Sequence, residues 1–308
     1  MTAPTLSVCL VTYNHAPFVE AAIRSVLSQN LDFPWEFIVA DDCSTDGTQD
    51  IVRKYAKLHP ERIRPIIQET NLGAWKHTLE TLRAARGEFI GYLEGDDRYT
   101  DDAKLRTQVT YLRDHPSCVG CFHDLTVVDE HDSIVSESFL ASSGSAFKAV
   151  IEQEDLFSPG AMGQTNSWVY RRRYIDELPR WFVEFPLDKS LAFYLANFGS
   201  WGYIDRRMSV YRLHGGGIYS PLPKHRQNEM LLKHTMMLHS VPEYRDRYGA
   251  TIRSKICHYD REIARAYKGT NLAEYLKHLG AYVRYHPNRI TALKVLLAEE
   301  IFAKGRSG

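Results

Sequence analysis

The sequence lacks several features that would set it apart from ordinary soluble globular proteins. No apolar run approaches the roughly 20 residues that a membrane helix needs, and the segment Met1 to Pro4 is too short and polar for a signal peptide. There is no Asn-x-Ser/Thr glycosylation acceptor, and the five cysteines are scattered. We therefore expect a cytoplasmic protein without structural disulfides.

Net charge is also absent, because 38 basic residues balance 38 acidic ones. Nucleic-acid binding requires a basic face, so we expect no nucleic-acid partner. The length of 308 residues, 44% of them hydrophobic, suits one large α/β domain or two smaller ones. Cys118 and Cys121 form a CxxC within an apolar run, and without a second cysteine pair this favours a buried strand over a zinc or redox site.

The first 130 residues alternate strand-like and helix-like patterns. Continuous apolar runs, typical of strands covered on both faces, predict strands at Leu6 to Thr12, Glu36 to Ala40, Ile63 to Gln68 and Glu88 to Leu93. Helical spacing of apolar residues predicts helices at Val19 to Leu27, from Asp46 onward with Gln49 as its capping-box partner, and at Trp75 to Ala85. This order predicts a largely parallel sheet with helices on both faces.

The pattern changes from about residue 118. Shorter strands are predicted at Val119 to Val128, Ser167 to Arg171 and Met208 to Leu213, and the chain after Pro223 is predicted to be mostly helical. The tail contains a stripe of apolar residues at helical spacing with basic residues nearby: Leu293, Leu296, Leu297 and Ile301, with Lys294, Lys304 and Arg306. Such a stripe contacts a membrane surface, packs on its own domain or forms a homodimer, and the sequence leaves these alternatives open.

Polar clusters follow three of the predicted strands directly. They are Thr12-Tyr13-Asn14, Asp41-Asp42 and Glu94-Gly95-Asp96-Asp97. Ligands bind at the carboxyl ends of strands in such sheets, so we expect the three clusters to meet at one edge. The three carboxylates of the last cluster repel one another unless a cation is present, and oxygen ligands suit Mg²⁺ or Mn²⁺. The alternative is a solvated acidic turn, but the apolar strand leading into the cluster favours a functional site.

Three single residues add to these clusters, and Asp42 within them has two candidate roles. His214, followed by three glycines, is a candidate ligand for the same metal, and Arg212 is a candidate phosphate partner. Asp42 is an acid near a helix N-terminus, an acceptor for a nucleobase N–H, or both, since Asp46 is the better cap. Asp188 precedes an apolar helix, and its position alone fits an N-cap and a general base equally.

Six segments in order, over about residues 5 to 217, carry a resemblance: Ser7 to Asn14, Asp41 to Thr48, Asn71 to Gly73, Ala85 to Ile90, Glu94 to Asp97 and Tyr211 to His214. Together they resemble family 2 of the glycosyltransferases, which has the GT-A fold. The fourth, fifth and sixth are similar to the family's A-x-GE-(Y/F)-I, Asp-x-Asp and YRxH elements, with Glu94 in first place of the acidic motif. The segment Gly73 to Thr78 departs from the Arg-Asn that many members carry there. The Gln-x-x-Arg-Trp motif of processive synthases is absent, which argues against chain polymerisation with export.

The resemblance implies an inverting enzyme that moves a sugar from a nucleoside diphosphate, most simply UDP, to a hydroxyl of a saccharide or lipid-linked acceptor. Bacterial surface-polysaccharide or glycan synthesis is the expected setting, in the cytoplasm or at the inner face of the membrane. The implied donor-site residues are Thr12, Tyr13, Asn14, Asp42, Asn71, Lys76, Glu94, Asp96 and Arg212. Asp42 would read the base, and either Glu94 or Asp96 would contact the ribose. The implied ligands of Mn²⁺ or Mg²⁺ are Asp96, Asp97 and His214, and the implied base is Asp188.

The resemblance also implies a domain organisation. Residues 1–222 would form the GT-A catalytic domain, with a nucleotide-sugar half at 1–117 and an acceptor half at 118–222, and residues 223–308 a helical extension. A sugar-nucleotide pyrophosphorylase is a competing prediction, but such enzymes have a Gly-rich loop where this chain has Thr12 to His15. A carbohydrate-binding or scaffold protein on an inactive GT-A fold is the non-enzymatic alternative. The retained acids and His214 argue against it.

Overall fold

The computed structural model describes residues 3–142, 148–158, 160–184 and 188–304, with side chains as far as Leu296. The chain forms two compact units that divide between Gly215 and Gly216. The predicted end of the catalytic domain at residue 222 stays a prediction, as does its division into a donor half and an acceptor half after residue 117. Several side chains of the predicted tail stripe lie outside the described part, namely those of Leu297, Ile301, Lys304 and Arg306.

The N-terminal unit is built on one mixed sheet. Its strands in the described ranges are β1 Leu6–Thr12, β2 Trp35–Asp41, β3 Ile63–Ile67, β4 Phe89–Glu94, β5 Arg98–Tyr99, β6 Cys118–Val128, β7 Ile134–Ser136, β8 Val150–Ile151, β9 Val169–Arg171 and β10 Ser200–Arg212. The order across the sheet is β3-β2-β1-β4-β9-β6-β10-β5. The longest pairings are parallel: β1 with β2 and β4, β2 with β3, and β6 with β10. The predicted GT-A architecture, with its mostly parallel sheet, is confirmed.

The helices of this unit flank the sheet. They are α1 Val19–Leu27, α2 Thr48–Leu58, α3 Ala74–Ala84, α4 Lys104–Asp114, α5 Phe139–Ser142, α6 Arg180–Glu184 and α7 Asp188–Leu195. All seven residues of β1 are buried, and the apolar stripe of α1 joins the same core cluster. Cys118 and Cys121 are buried within β6, so the predicted strand is confirmed there.

The predicted starts of helix α2 and strand β10 were wrong, each for a physical reason. Helix α2 begins at Thr48 rather than Asp46, because Gly47 adopts a left-handed conformation with φ 99°. The Asp46 carboxylate still accepts the Thr48 N–H at 3.0 Å, but Gln49 makes no capping box and accepts from Arg53 instead. Strand β10 begins at Ser200, eight residues before the predicted start, because its exposed polar centre at 205–207 interrupts the apolar pattern.

The C-terminal unit is helical, as predicted for the chain after Pro223. Its helices are α8 Lys224–Ser240, α9 Pro242–Tyr267, α10 Leu272–Tyr285 and α11 Arg289–Lys304. A buried contact of 2.7 Å between His278 Nδ1 and Asp260 Oδ1 joins α10 to α9. No helix in the described ranges combines the length and apolarity needed to cross a bilayer. Membrane contact and dimerisation through the tail both stay predictions.

Candidate active site

The carboxyl ends of β1, β2 and β4 lie side by side at one edge of the sheet. Strand β1 is the middle strand of the three, with Thr12 paired to Asp41 on one side and Val11 paired to Glu94 on the other. The three polar clusters that follow these strands are therefore brought together, as the alternation of strands and helices predicted.

The loop after β1 is held against the loop after β2 by Asn14. Its backbone N–H donates to Ser44 Oγ at 2.8 Å, and its side-chain oxygen accepts the Thr45 N–H at 2.9 Å. The φ of 54° at Asn14 is left-handed, a conformation that asparagine tolerates better than most residues. Asn14 thus fixes the two loops relative to each other, while the neighbouring Tyr13 exposes 45% of its surface.

Asp42 is buried and shapes the turn before α3. Its two carboxylate oxygens accept the backbone N–H groups of Leu72 and Gly73 at 2.8 and 3.0 Å, and Asn71 Nδ2 donates to its carbonyl at 3.1 Å. The structure therefore brings Asp42 and Asn71 together, whereas Lys76 is exposed on the first turn of α3. A carboxylate has about four lone-pair sites, so Asp42 keeps accepting capacity beyond these two bonds.

Two of the three carboxylates in the acidic motif, those of Glu94 and Asp97, accept hydrogen bonds from other parts of the N-terminal unit. Glu94 Oε1 accepts from the Thr165 hydroxyl. Asp97 is 3% exposed, and its two oxygens accept from the Arg212 N–H at 2.8 Å and from Asn166 Nδ2 at 2.5 Å. Both carboxylate oxygens of Asp97 thus have protein partners, and its predicted role as a metal ligand stays a prediction.

Asp96 faces two histidines. Its Oδ2 atom lies 2.9 Å from His214 Nε2 and 3.7 Å from His15 Nε2. One ligand atom from each of these three residues falls within 4.8 Å of the others. Asp96 Oδ1 and His15 Nδ1 are buried and have no hydrogen-bond partner among the described residues. One carboxylate and two imidazoles form a donor set that suits a divalent transition metal such as Mn²⁺.

The pKa shifts of Asp96 and His15 suit a cation as well. Burial would raise the pKa of Asp96, but the hydrogen bond with His214 and the nearby His15 outweigh it and hold that pKa below its ordinary value. Burial lowers the pKa of His15, against the opposing effect of Asp96. An ionised carboxylate beside a neutral imidazole is the state that metal binding requires.

His15 is a candidate ligand that the sequence alone did not indicate. The signal that was available is its position directly after Thr12-Tyr13-Asn14 at the end of a predicted strand. Gly95 contributes by its lack of a side chain, because an added Cβ would lie 2.5 Å from Thr12 Oγ1 and 3.0 Å from His15 Nδ1. The loop after β1 and the acidic motif can therefore approach closely only with glycine at this position.

Glu94 and Asp188 are electrostatically linked. Burial raises the pKa of Glu94 to about 8, with the Thr165 hydrogen bond opposing and the charges of Asp96 and Asp188 adding to the rise. Burial also raises the pKa of Asp188, the first residue of α7, against the N–H of Lys189, which it accepts at 2.6 Å. The negative charge of Asp188 thus makes ionisation of Glu94 less favourable.

The prediction that Arg212 binds donor phosphate does not fit its surroundings. The side chain is buried, with Nε donating to the Asp96 carbonyl at 3.0 Å, Nη1 to the Asp129 carbonyl at 3.0 Å and Nη2 to Asp132 Oδ1 at 2.8 Å. Its backbone N–H is bound to Asp97. These contacts use three of the five guanidinium N–H groups. Because the side chain is buried and binds the backbone of Asp96, Arg212 is suited to holding the acidic motif in place.

The fold and the motifs agree with sequence comparison. Residues 7–178, more than half of the chain, match the profile described as Glycosyl transferase family 2, and the chain belongs to this family of glycosyltransferases. An uncharacterized protein of Mycobacterium tuberculosis is 36% identical over 219 residues, which are 70% of this chain and 60% of that protein. The match thus spans less than two thirds of the relative.

Solved structures share the GT-A fold. TarS of Staphylococcus aureus, a poly(ribitol-phosphate) beta-N-acetylglucosaminyltransferase, is 34% identical over 117 residues, 37% of this chain and 20% of that protein. The crystal structure of TarS 1-349 with UDP-GlcNAc matches with a TM-score of 0.62 at 18% identity, covering 94% of this chain and 83% of that one. Mannosyltransferase PcManGT from Pyrobaculum calidifontis, in complex with GDP-Man and Mn²⁺, matches with a TM-score of 0.57 at 18% identity, covering 98% and 81%.

Proposed function

We propose that the protein is an inverting, metal-dependent glycosyltransferase that uses a UDP-sugar and glycosylates a hydroxyl of a saccharide or lipid-linked acceptor in bacterial surface-polysaccharide or glycan synthesis. The observation that carries this proposal is the meeting of Asp96, His214 and His15 at the edge formed by β1, β2 and β4. TarS, which binds UDP-GlcNAc, and PcManGT, which binds GDP-Man with Mn²⁺, support a nucleotide-sugar donor and a divalent cation.

The donor nucleotide would lie along the loops after β1 and β2. Tyr13 offers an exposed ring beside Thr12, whose hydroxyl is buried without a hydrogen-bond partner among the described residues. Asp42 would accept the N3–H of uracil with the lone pairs that the 71–73 turn leaves free. Glu94 Oε2, also buried and without a hydrogen-bond partner in the described ranges, is suited to a ribose hydroxyl.

Asp96, His214 and His15 would hold the divalent cation, with Asp97 keeping the motif in position. The cation, when bound, supplies stabilisation of the charge that develops on the departing diphosphate, worth several kcal/mol. The metal role predicted for Asp97 is therefore replaced by His15 in this proposal, and the phosphate role of Arg212 by a positioning role.

Asp188 would act as the general base. As the acceptor oxygen attacks the anomeric carbon, Asp188 would take the hydroxyl proton, and the nucleoside diphosphate would leave from the opposite face with inversion. Burial raises the pKa of Asp188 and so makes its carboxylate a stronger base. A positioned base of this kind contributes about 10²–10⁴-fold to the rate.

The test is release of UDP from a panel of UDP-sugars, measured with Mn²⁺ and with chelator. We expect release from at least one donor that requires Mn²⁺ and that Asp188→Asn abolishes. Tight binding of UDP without turnover of any UDP-sugar, in the presence of saccharide acceptors, would instead favour the carbohydrate-binding or scaffold protein.

A further inference from the structure

We propose that Arg212 and Asp132 form a clamp that sets the position of Asp96 and thereby the affinity of the candidate metal site. The guanidinium spans from the Asp96 carbonyl, 3.0 Å from Nε, to the Asp132 carboxylate, 2.8 Å from Nη2. This positioning role goes beyond the ligand set and rests on the proposed function, because it presupposes a cation at Asp96.

On the inner side, Arg212 holds two consecutive residues of the acidic motif. Its side chain binds the carbonyl of Asp96, and its backbone N–H binds the carboxylate of Asp97. His214 follows Arg212 by two residues, so a shift of Arg212 would move both Asp96 and a second ligand. Phe18 packs in the same place, with its ring 4.7 Å from the guanidinium and 5.1 Å from the His214 ring.

On the outer side, Arg212 is anchored by the turn between β6 and β7. Nη1 donates to the Asp129 carbonyl, and the Asp129 carboxylate shapes the turn by accepting the N–H groups of His131 and Ser133, both at 2.9 Å. Asp132 has a φ of 65° and also accepts from Arg98. Its side chain is 52% exposed, so a surface carboxylate is connected to the buried site.

The charge of Asp132 is what keeps the guanidinium away from the metal ligands. Arg212 is 5% exposed, and a buried cation that loses its counter-ion is strongly disfavoured. Without Asp132, the guanidinium keeps the carbonyls of Asp96 and Asp129 as acceptors but loses its paired carboxylate. A guanidinium that moves to find another counter-ion would pull on the Asp96 carbonyl and misalign the Asp96 carboxylate.

The experiment uses Asp132→Asn, which removes the charge but keeps the size and the tolerance of asparagine for positive φ. The free Mn²⁺ concentration is followed by its EPR signal during titration of the full chain with UDP present, against a reference without protein. We expect the dissociation constant for Mn²⁺ to rise about tenfold or more, as for other partners that orient metal ligands. Arg212→Lys should weaken Mn²⁺ binding in the same way, because an ammonium group cannot span the same three acceptors.

The matched control is Glu137→Gln, which removes another exposed carboxylate that pairs with an arginine of β10, Arg207, at 3.7 Å. Its Mn²⁺ affinity should stay within about twofold of wild type, as expected for an exposed ion pair. Wild-type affinity in both Asp132→Asn and Arg212→Lys would overturn the clamp while leaving the metal site standing. A wild-type protein that takes up no Mn²⁺ would overturn the metal site of the proposed function, and the clamp with it.

Discussion

The Nε2 atom of His214 lies 2.9 Å from the Oδ2 atom of Asp96, although 118 residues separate them in the chain. The contact joins the end of β4 to the end of β10, two strands that are not neighbours in the sheet. Arg212 fixes both ends, because it precedes His214 in the chain and binds the backbone of Asp96. The candidate metal site therefore depends on the pairing of β9 and β6, the two strands that lie between β4 and β10.

His15→Ala should weaken Mn²⁺ binding in the presence of UDP by about tenfold or more, because it removes one of three ligands. Isothermal titration measures the change. His59→Ala is the control, since His59 stacks on Tyr55 at the end of α2 and should leave the affinity unchanged. Equal affinity in wild type and His15→Ala would show that His15 is not a ligand.

Asp188→Asn should lower kcat by about 10²–10⁴-fold and leave the dissociation constant for UDP unchanged within about twofold. The amide keeps the size of the side chain but cannot take the proton of the acceptor. Steady-state kinetics and UDP titration on the same preparation separate the two effects. Asp176→Asn, which alters an exposed carboxylate paired with Arg172, should keep wild-type kcat. Substantial turnover by Asp188→Asn would assign the base elsewhere.

Gly87→Ala should destabilise the N-terminal unit by roughly 2 kcal/mol or more, because a Cβ there would lie 2.4 Å from the Ser7 backbone nitrogen and 2.6 Å from the Leu6 carbonyl carbon. The Gly87 N–H also donates to Ser7 Oγ at 2.8 Å. Denaturant unfolding followed by circular dichroism measures the effect. Gly280→Ala is the matched change within α10, where the Cβ meets open space, and should stabilise by about 0.5–1 kcal/mol.

The strands that carry the site could be predicted because β1, β2 and β4 are short continuous apolar runs that end in polar clusters. The GT-A fold followed from their order and from the motifs. The partners of single side chains could not be predicted. Arg212 looked available to phosphate because the sequence does not show that a turn at residues 129–132 occupies its guanidinium. His15 was missed because its partners are distant in sequence.

Lys104 should make the stability of the fold depend on pH. It is fully buried, with Nζ donating to Gln108 at 2.8 Å and lying 4.0 Å from the centre of the Tyr99 ring, and burial lowers its pKa to about 7. Between pH 7 and about 10 the unfolded chain therefore binds a proton that the folded chain does not, so stability rises with pH in this window. Below pH 7 both states are protonated and the penalty is constant.

Lys104→Met removes this group, so its stability relative to wild type isolates the effect from other titrations. We expect the variant to be the more stable at pH 7 and its advantage to shrink by roughly 3 kcal/mol toward pH 10. Urea unfolding at several pH values measures the difference. An advantage that does not change with pH would mean that Lys104 stays charged in the folded protein.

The most direct test of the metal-dependent donor site is thermal unfolding with UDP, GDP, dTDP and CDP in turn, each with and without Mn²⁺. A ligand at 100 times its dissociation constant stabilises the folded state by about 2.7 kcal/mol, which shifts the midpoint measurably. We predict stabilisation by UDP that requires Mn²⁺ and is lost in Asp96→Asn. No Mn²⁺-dependent shift with any of the four nucleotides would contradict the donor site.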